Sequence, residues 1–593
     1  MKNNMNEIST VIEFEDSIIG NEWQINEPNY QLIERIKNIY SLDEIIIKIL
    51  LNRNITETHI GSFLDKSIKN NMPDPNILMD MQKATNRIAK AIQDDEVIGV
   101  IGDYDVDGIV SASILCKFIS LFNKNVIVKI PDRIKDGYGP NEEIIEELND
   151  KNVSLIITVD CGANASDILK SKAKIDFIIL DHHQANEISD KYFAHVNPNR
   201  VDDISGLHYL SAAGVVFLTL VSINRSLRDS GFYNKDTDEI NLLMFLPLVA
   251  LATVADVVPQ IGLNRSFVGQ GLKLFNKYIN IGINSIIKIN SKEDEISCSD
   301  LGYFIGPRIN AGGRIGQSSL GFDLLTTEDP IVGEKIAIEL DKLNSERKLL
   351  EEKAVEEAVE MFDLHSEKND NLIFLKSEDW HLGVIGLIAS RITNRYQKPS
   401  FVISSKNENN IYTGSARSIG NFNIGQFVEQ AVKSKLLISG GGHRMAAGFK
   451  IHSDNIEKFK LFLLNQNNKI SNSKRILRVD AILMASAVNI NFIEKILELG
   501  PYGNSFEEPL FIFPGHRINN LVILKNQHLK FSIQDENNYK LDTISFRSYG
   551  FPLGDFICEN VYKKINFLGR LSLNKWGANI RPQLIIDDAS IIQ

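Results

Sequence analysis

Three short apolar runs, VIGVIG, LIITV and FIIL, each stop on an aspartate: Asp103, Asp160 and Asp181. Helical segments separate them, read over GIVSASILCKFISLF, PNEEIIEELND and SDILKSKA, with a further strand over KNVIVKIPDR. Continuous apolar strands spaced by helices are what a parallel sheet requires. Each parallel neighbour needs a crossover, and the crossover helices bury both faces of the sheet. An α/β fold with a mostly parallel sheet is therefore expected. In such a sheet all strands exit at one edge, and sites form there. The acids are thus gathered rather than scattered.

The segment GDYDVDG carries Asp103, Asp105 and Asp107 at alternate positions. Read as the end of a strand, the three share a face and repel one another unless a cation sits between them. Asp160 follows the second run, Asp181-His182-His183 the third, and Asp256 the apolar segment VALATVA. Each segment alone is equally well an acidic surface turn; their convergence on one edge points to a metal site. Oxygen donors with imidazole and no thiolate suit Mn²⁺ or Mg²⁺ better than Zn²⁺. The carboxylates exceed what one ion needs. Two ions about 4 Å apart, bridged by one carboxylate, use them better, and Asp160 is the choice for that bridge. A calcium loop lacks its distal Glu, and neither GxGxxG nor GxxxxGK[ST] is present. The 4 cysteines form no CxxC unit.

Phosphate chemistry needs positive charge opposite such acids. IGPRINAGGRIG supplies Arg308, Asn310 and Arg314 among glycines that permit close backbone approach. Further on, DWHLGVIG supplies His381 near a helix start, and GSARS supplies Ser415 and Arg417. GGGHRMAAG supplies backbone N–H groups and His443 and reads as leading into a helix. A structural turn is the competing reading for each.

The remaining chain is organised around these segments. At 593 residues it exceeds one hydrophobic core. LSAAGVVFLTLV and NLLMFLPLVALATVADVVP read as core helices, and residues 331–362 as one long charged helix connecting two domains. A second α/β region follows, then a flexible junction at KISNSKR, then short β-like runs from about residue 476, as in a small barrel. The net charge of -12 counts against nucleic acid as a partner, except that metal-binding carboxylates carry part of it. From Lys474 onward the balance is 14 Lys+Arg against 12 Asp+Glu. Basic and aromatic residues adjoin there at Lys530-Phe531, Phe546-Arg547, Tyr562-Lys563-Lys564 and Lys575-Trp576. That pattern suits a surface that holds a single strand by stacking and charge. Sparse cysteine, no secretory leader and no membrane-length apolar run give a cytoplasmic expectation.

These motifs, in order, resemble the RecJ-type exonucleases of the DHH phosphoesterase superfamily. The resemblance rests on GDYDVDG, DRIKDGYG, TVDCG, DHH, TVADVVP, IGPRINAGGR, HLGVIGLIASR, GSARS and GGHRMAAG, spread over residues 102–448. It implies an N-terminal accessory segment (1–75), a parallel-sheet DHH catalytic domain (76–330) and a connecting helix (331–362). A smaller α/β DHHA1 domain (363–457) and an oligonucleotide-binding (OB)-like β domain (476–593) complete it. It implies Mn²⁺ or Mg²⁺ dependence and 5′→3′ release of mononucleotides from single-stranded DNA in recombination and repair. A monomer alongside a single-stranded DNA-binding protein is the expected assembly, with no membrane. Asp105, Asp107, Asp160, His182 and Asp256 fall on the family's metal ligands. Asp103 and His183 fall beside them, His183 toward the scissile phosphate or a metal-bound water, so that Asp160, His183 and Asp103 are the catalytic candidates. Arg308, Arg314, Ser415, Arg417 and His443 fall on positions linked with substrate phosphates, and Asn310 and His381 join them as candidates. A hydrolase of oligoribonucleotides or cyclic dinucleotides and a non-catalytic nucleic-acid scaffold are the alternatives. One departure is visible: PYGNSFEEP at 501–509 stands where the family has a PFGxGNPEP-like turn, with Ser505, Phe506 and Glu507 replacing Gly, Asn and Pro.

Overall fold

The computed structural model describes residues 8–14, 17–133, 135–166, 168, 175–185, 188–365, 371–405, 410–420, 422–465, 475–576 and 579–592. The helix expected over SDILKSKA, most of the KISNSKR junction and the ring of Trp576 lie outside these residues. The described chain divides into two compact units. One comprises Met72–Val258 and Gln270–Asn472; the other comprises Met1–Asn71, Pro259–Gly269 and Ser473–Gln593.

The first unit opens on the expected parallel sheet. Its strands are β1 (Ile98–Gly102), β2 (Val126–Lys129), β3 (Leu155–Val159), β4 (Asp176–Leu180) and β5 (Ala194–Val196). Their spatial order is β2-β1-β3-β4-β5, every pair parallel. The strand order reverses between β1 and β3, the topological switch point of a doubly wound sheet. β1 and β3 are buried at all five positions, which is why they read as unbroken apolar runs. Helices α1 (Val106–Ser120), α2 (Ala212–Asp229) and α3 (Leu246–Ala255) follow, each buried along most of its length.

Helix α4 (Gly306–Ile315) continues directly from a π-helical turn, Leu301–Ile305. The IGPRINAGGR segment is thus helical, and its glycines serve packing within a helix rather than a loop. The connecting helix α5 runs Pro330–His365. The smaller domain holds β6 (Ile373–Lys376), α6 (Ile385–Tyr396), β7 (Ser400–Ser404), β8 (Ile411–Arg417), β9 (Ser439–His443) and β10 (Ala446–His452). Its sheet order is β9-β10-β8-β7-β6, with only β6 and β7 parallel. The GGGHRMAAG segment corrects the expectation of a following helix, because β9 and β10 form a hairpin. Ala447, Phe449 and Ile451 alternate inward along β10, a period of two that a helix cannot use.

In the second unit, β11 (Ala481–Ile482) precedes a barrel of β12 (Phe511–Leu524), β13 (His528–Gln534), β14 (Lys540–Ser545), β15 (Lys564–Trp576) and β16 (Asn579–Ser590). Pairing runs β12-β13-β14-β16-β15 and closes from β15 back to β12, with β14 and β16 parallel. This is the five-stranded OB barrel. Helices Tyr30–Tyr40, Glu44–Asn52 and Glu57–Leu64 share its core: Ile33, Ile47 and Ile60 are buried with Phe511, Phe531 and Phe567. Strand Glu22–Pro28 pairs with Ile476–Val479, and Trp23 and Ile25 are buried with Ile512 and Leu568. Domain order is therefore the expected one: parallel sheet, connecting helix, smaller α/β domain, OB-like barrel.

Candidate metal centre and anion pocket

Where β1 ends, Asp103 is buried and Asp105 caps α1, its Oδ1 accepting from the N–H groups of Asp107 and Gly108 at 3.0 and 3.1 Å. Such a cap stabilises a helix by ~1 kcal/mol. The acids therefore do not line one face of a strand, as alternation suggested. They occupy a strand end, an N-cap and a first helical turn. Asp107, inside α1, directs both carboxylate oxygens at the start of α2, accepting from Ala212 N at 2.7 Å and Ala213 N at 2.9 Å. Gly108 makes this possible: a Cβ there would lie 2.6 Å from the Asp103 backbone.

The imidazoles are oriented by their backs. His182 Nδ1 donates to the Leu210 carbonyl at 3.0 Å, which fixes the tautomer and points Nε2 at the acids. Nε2 lies 3.3 Å from Asp160, 3.6 Å from Asp256 and 3.8 Å from Asp107. His183 Nδ1 lies 2.8 Å from Asp181 and 3.8 Å from Asp160. Asp181 also accepts from Ala163 N and His182 N at 3.0 and 2.7 Å. The Tyr138 hydroxyl donates to the Asp160 carbonyl at 2.9 Å and lies 3.1 Å from His183 Nδ1.

Among the described residues three groups have donor atoms mutually within 4.8 Å: Asp103-Asp105-Asp160, Asp107-His182-Asp256 and Asp160-His182-His183. Asp160 and His182 are each shared by two groups. Burial, then mutual repulsion, pushes Asp103, Asp160 and Asp256 well above the usual carboxylate range. Burial raises Asp107 as well, against the pull of His182. Asp181 goes the other way: despite burial, the bond from His183 holds it below that range. In turn Asp181 outweighs burial and lifts His183 to about 9. Asp103 Oδ1 and Asp160 Oδ1 are buried with no hydrogen-bond partner. A buried carboxylate oxygen without a donor is costly, and a divalent cation is the partner that this oxygen and imidazole set fits.

The cations assemble around the start of α6. Arg314 Nη1 donates to the Gly383 carbonyl at 3.0 Å. Arg417 Nη1 donates to Ser415 Oγ at 3.1 Å, and a Cβ on Gly386 would meet both side chains at 3.1 Å. Burial, then the nearby charges of Arg133 and Arg347, lowers Arg314 to about 10. Burial and Arg133 lower Arg417 too. The guanidinium of Arg133 stacks over Tyr104 at 5.3 Å. Arginines that disfavour one another's charge form a site for an anion.

Two expected phosphate contacts, Arg308 and Asn310, are committed to other groups of the protein. Arg308 spends its nitrogens on Asp341 (2.7 Å), the Phe304 carbonyl (2.8 Å) and Asn290 (2.8 Å), which ties α4 to α5. Asn310 accepts from Val106 N at 3.1 Å and so supports the start of α1. His381 Nδ1 accepts from Gly383 N at 3.1 Å, shaping the turn before α6, and His443 is exposed at the end of β9. Arg133 and Tyr138 were missed as individual candidates, although DRIKDGYG after β2 contains both; Asp181 was noticed as an acid but not as the residue that orients His183.

Three family models match the chain: the DHH family N-terminal domain over residues 97–253, the DHHA1 domain over 369–468 and the RecJ OB domain over 479–588. The single-stranded-DNA-specific exonuclease RecJ of Haemophilus influenzae is 30% identical over 91% of this chain and 95% of its own length. That of Bacillus subtilis is 28% identical over 96% of this chain and 71% of its own. The Mn²⁺ complex of RecJ from Thermus thermophilus shares the fold, with a TM-score of 0.80 at 22% identity over 96% of this chain and 80% of that one. The carboxylate–histidine cluster, the arginine pocket and these matches lead to one assignment: the chain belongs to the RecJ family of DHH phosphoesterases.

Proposed function

We propose that the protein is a metal-dependent 5′→3′ exonuclease that hydrolyses single-stranded DNA to 5′-mononucleotides in DNA recombination and repair. The observation that carries this reading is the pairing, within one unit, of a buried carboxylate–histidine cluster with the pocket of Arg133, Arg314, Ser415 and Arg417. A phosphodiester carries charge at the bond to be cut and, in an exonuclease, again at the strand end. Two ions, Mn²⁺ or Mg²⁺, would be held by Asp105, Asp107, Asp160, His182 and Asp256, with Asp103 beside them. When bound, they supply a lowered water pKa and stabilise charge on the phosphoryl oxygens. The protein's own residues do the rest. His183, oriented by Asp181 through Nδ1, is placed to contact a phosphate oxygen beside the cluster. The arginines and Ser415 hold the terminal phosphate, which sets how far the strand enters.

The names of the relatives support DNA as substrate, and the OB barrel supports a role in holding the strand. Digestion of long 5′- or 3′-blocked single strands with Mn²⁺ tests both substrate and direction. Mononucleotide release stopped only by the 5′ block is expected. Cleavage confined to dimers and trimers would instead favour an oligonucleotide or cyclic-dinucleotide hydrolase, and no cleavage at all a scaffold.

A further inference from the structure

The inward face of α5 carries three polar residues that the proposed chemistry does not use. Asn344, Arg347 and Glu351 follow one another at helical spacing and are only 1, 9 and 7% exposed. A helix that merely spans two domains gains nothing by burying an amide, a guanidinium and a carboxylate, because each must be desolvated. Among the described residues two buried atoms there have no hydrogen-bond partner, Asn344 Oδ1 and Arg347 Nε, and neither has Ser318 Oγ just beyond α4.

Glu351 divides its carboxylate. Oε2 accepts from Arg347 Nη1 at 2.9 Å and Oε1 from Arg391 Nε at 2.9 Å. One negative charge therefore serves two guanidiniums, and the local balance stays positive. Arg391 belongs to α6; Arg314 meets the turn just before that helix through the Gly383 carbonyl, and the helix's first turn borders Ser415 and Arg417 at Gly386. The chain of contacts runs from α5 through Glu351 and α6 to both sides of the anion pocket. The charge of Arg347 is also felt at Arg314.

We propose that Arg347 is a positioning residue for the anion pocket: it holds Glu351, which in turn holds Arg391 of α6, so that Arg314 and Arg417 face the same terminal phosphate, and it thereby sets the preference for a phosphorylated over a hydroxyl strand end. The proposal rests on the exonuclease reading above. The experiment compares kcat/KM of the full-length protein on two single-stranded oligonucleotides of one sequence, with 5′-phosphate and with 5′-hydroxyl. Arg347→Met and Glu351→Gln are each expected to lower the phosphate-to-hydroxyl ratio by about tenfold, and Arg347→Lys by less, since lysine keeps the charge but not the fork. A purely structural role lowers both rates together and leaves the ratio unchanged; that result in folded Glu351→Gln and Arg347→Lys, with wild-type ratios, overturns the proposal even if Arg347→Met fails to fold. A wild-type protein that degrades both strands equally overturns it while the exonuclease reading survives. A wild-type protein that degrades neither removes both.

Discussion

Asp160 holds a backbone φ of 59°, in the left-handed region that a non-glycine residue enters at a cost of roughly 1–2 kcal/mol. Val257, next to Asp256, does the same at 57°, and for a β-branched residue the strain is greater. Strain of this kind persists where surrounding structure enforces it, and here it falls on or beside two residues of the carboxylate cluster. Asp160 is also the acid that two of the three donor groups share. Asp160→Ala is accordingly expected to reduce turnover by about a thousandfold or more, while weakening single-strand binding far less. Parallel measurement of kcat and of the Kd for a single-stranded oligonucleotide checks this. Wild-type turnover would remove Asp160 from the mechanism, and a collapse in binding would show that its role is not chemical alone.

Among the elements, the turn 501–509 is where this chain departs from its family pattern. Ser505, in the place of the usual glycine, has φ 66° and so accepts the strain that glycine would avoid. Phe506, in the place of asparagine, offsets it. The ring is 1% exposed, stacks on Tyr502 at 5.2 Å and packs against Phe63 at 4.8 Å. Arg265, which donates to the carbonyls of Leu499 and Pro501 at 2.7 and 3.1 Å, lies over both rings, 3.7 Å from that of Phe63 and 4.6 Å from that of Phe506. The turn is thus a packed anchor for helix Glu57–Leu64 rather than a loosened loop. Phe506→Ala should cost about 3–5 kcal/mol of stability, read from denaturant or thermal unfolding. A loss below about 1 kcal/mol would mean that the ring does not anchor the turn.

Two properties belong to the whole molecule. The raised carboxyl groups of the cluster bind protons more tightly folded than unfolded. Their contribution is fully present below the ordinary carboxylate pKa and is lost as pH climbs through the raised values. Chelated protein should therefore lose thermal stability as pH rises above the ordinary carboxylate value of about 4, and added Mn²⁺ should abolish that loss. A chelated protein whose melting temperature stays flat over that rise would contradict the raised values. The barrel is the second property. Lys530 points outward, but Phe531 is buried against Phe567 at 5.9 Å, so that pair offers no stacking surface. Phe546 and Tyr562, 55 and 70% exposed, do. Deleting the barrel would strip the N-terminal helices of their shared core, so point substitutions are the cleaner test. Tyr562→Ala should weaken long-strand binding by ~1–3 kcal/mol. Lys563→Ala with Lys564→Ala should flatten the log–log salt slope by roughly 1.4. Unchanged affinity and slope would place the strand elsewhere.

The parallel sheet and its acidic edge were legible in the residues alone. Period and run length are local properties, and β1, β3 and β4 each end where the aspartate begins. The order of domains was legible too, because each has its own repeat pattern. Which acids meet was not. Asp107 turns to the start of α2, across 105 positions of chain, and Asp256 arrives from the end of α3 to face His182. Arg308 and Arg314 look equivalent in IGPRINAGGR, yet helical geometry sends one to Asp341 and the other to Gly383. The hairpin at GGGHRMAAG was missed because glycines carry no periodic signal, and only the pairing of β9 with β10, and of β10 with β8, fixes their conformation. What a side chain touches depends on the packing of distant elements, and that information enters only when the chain closes on itself.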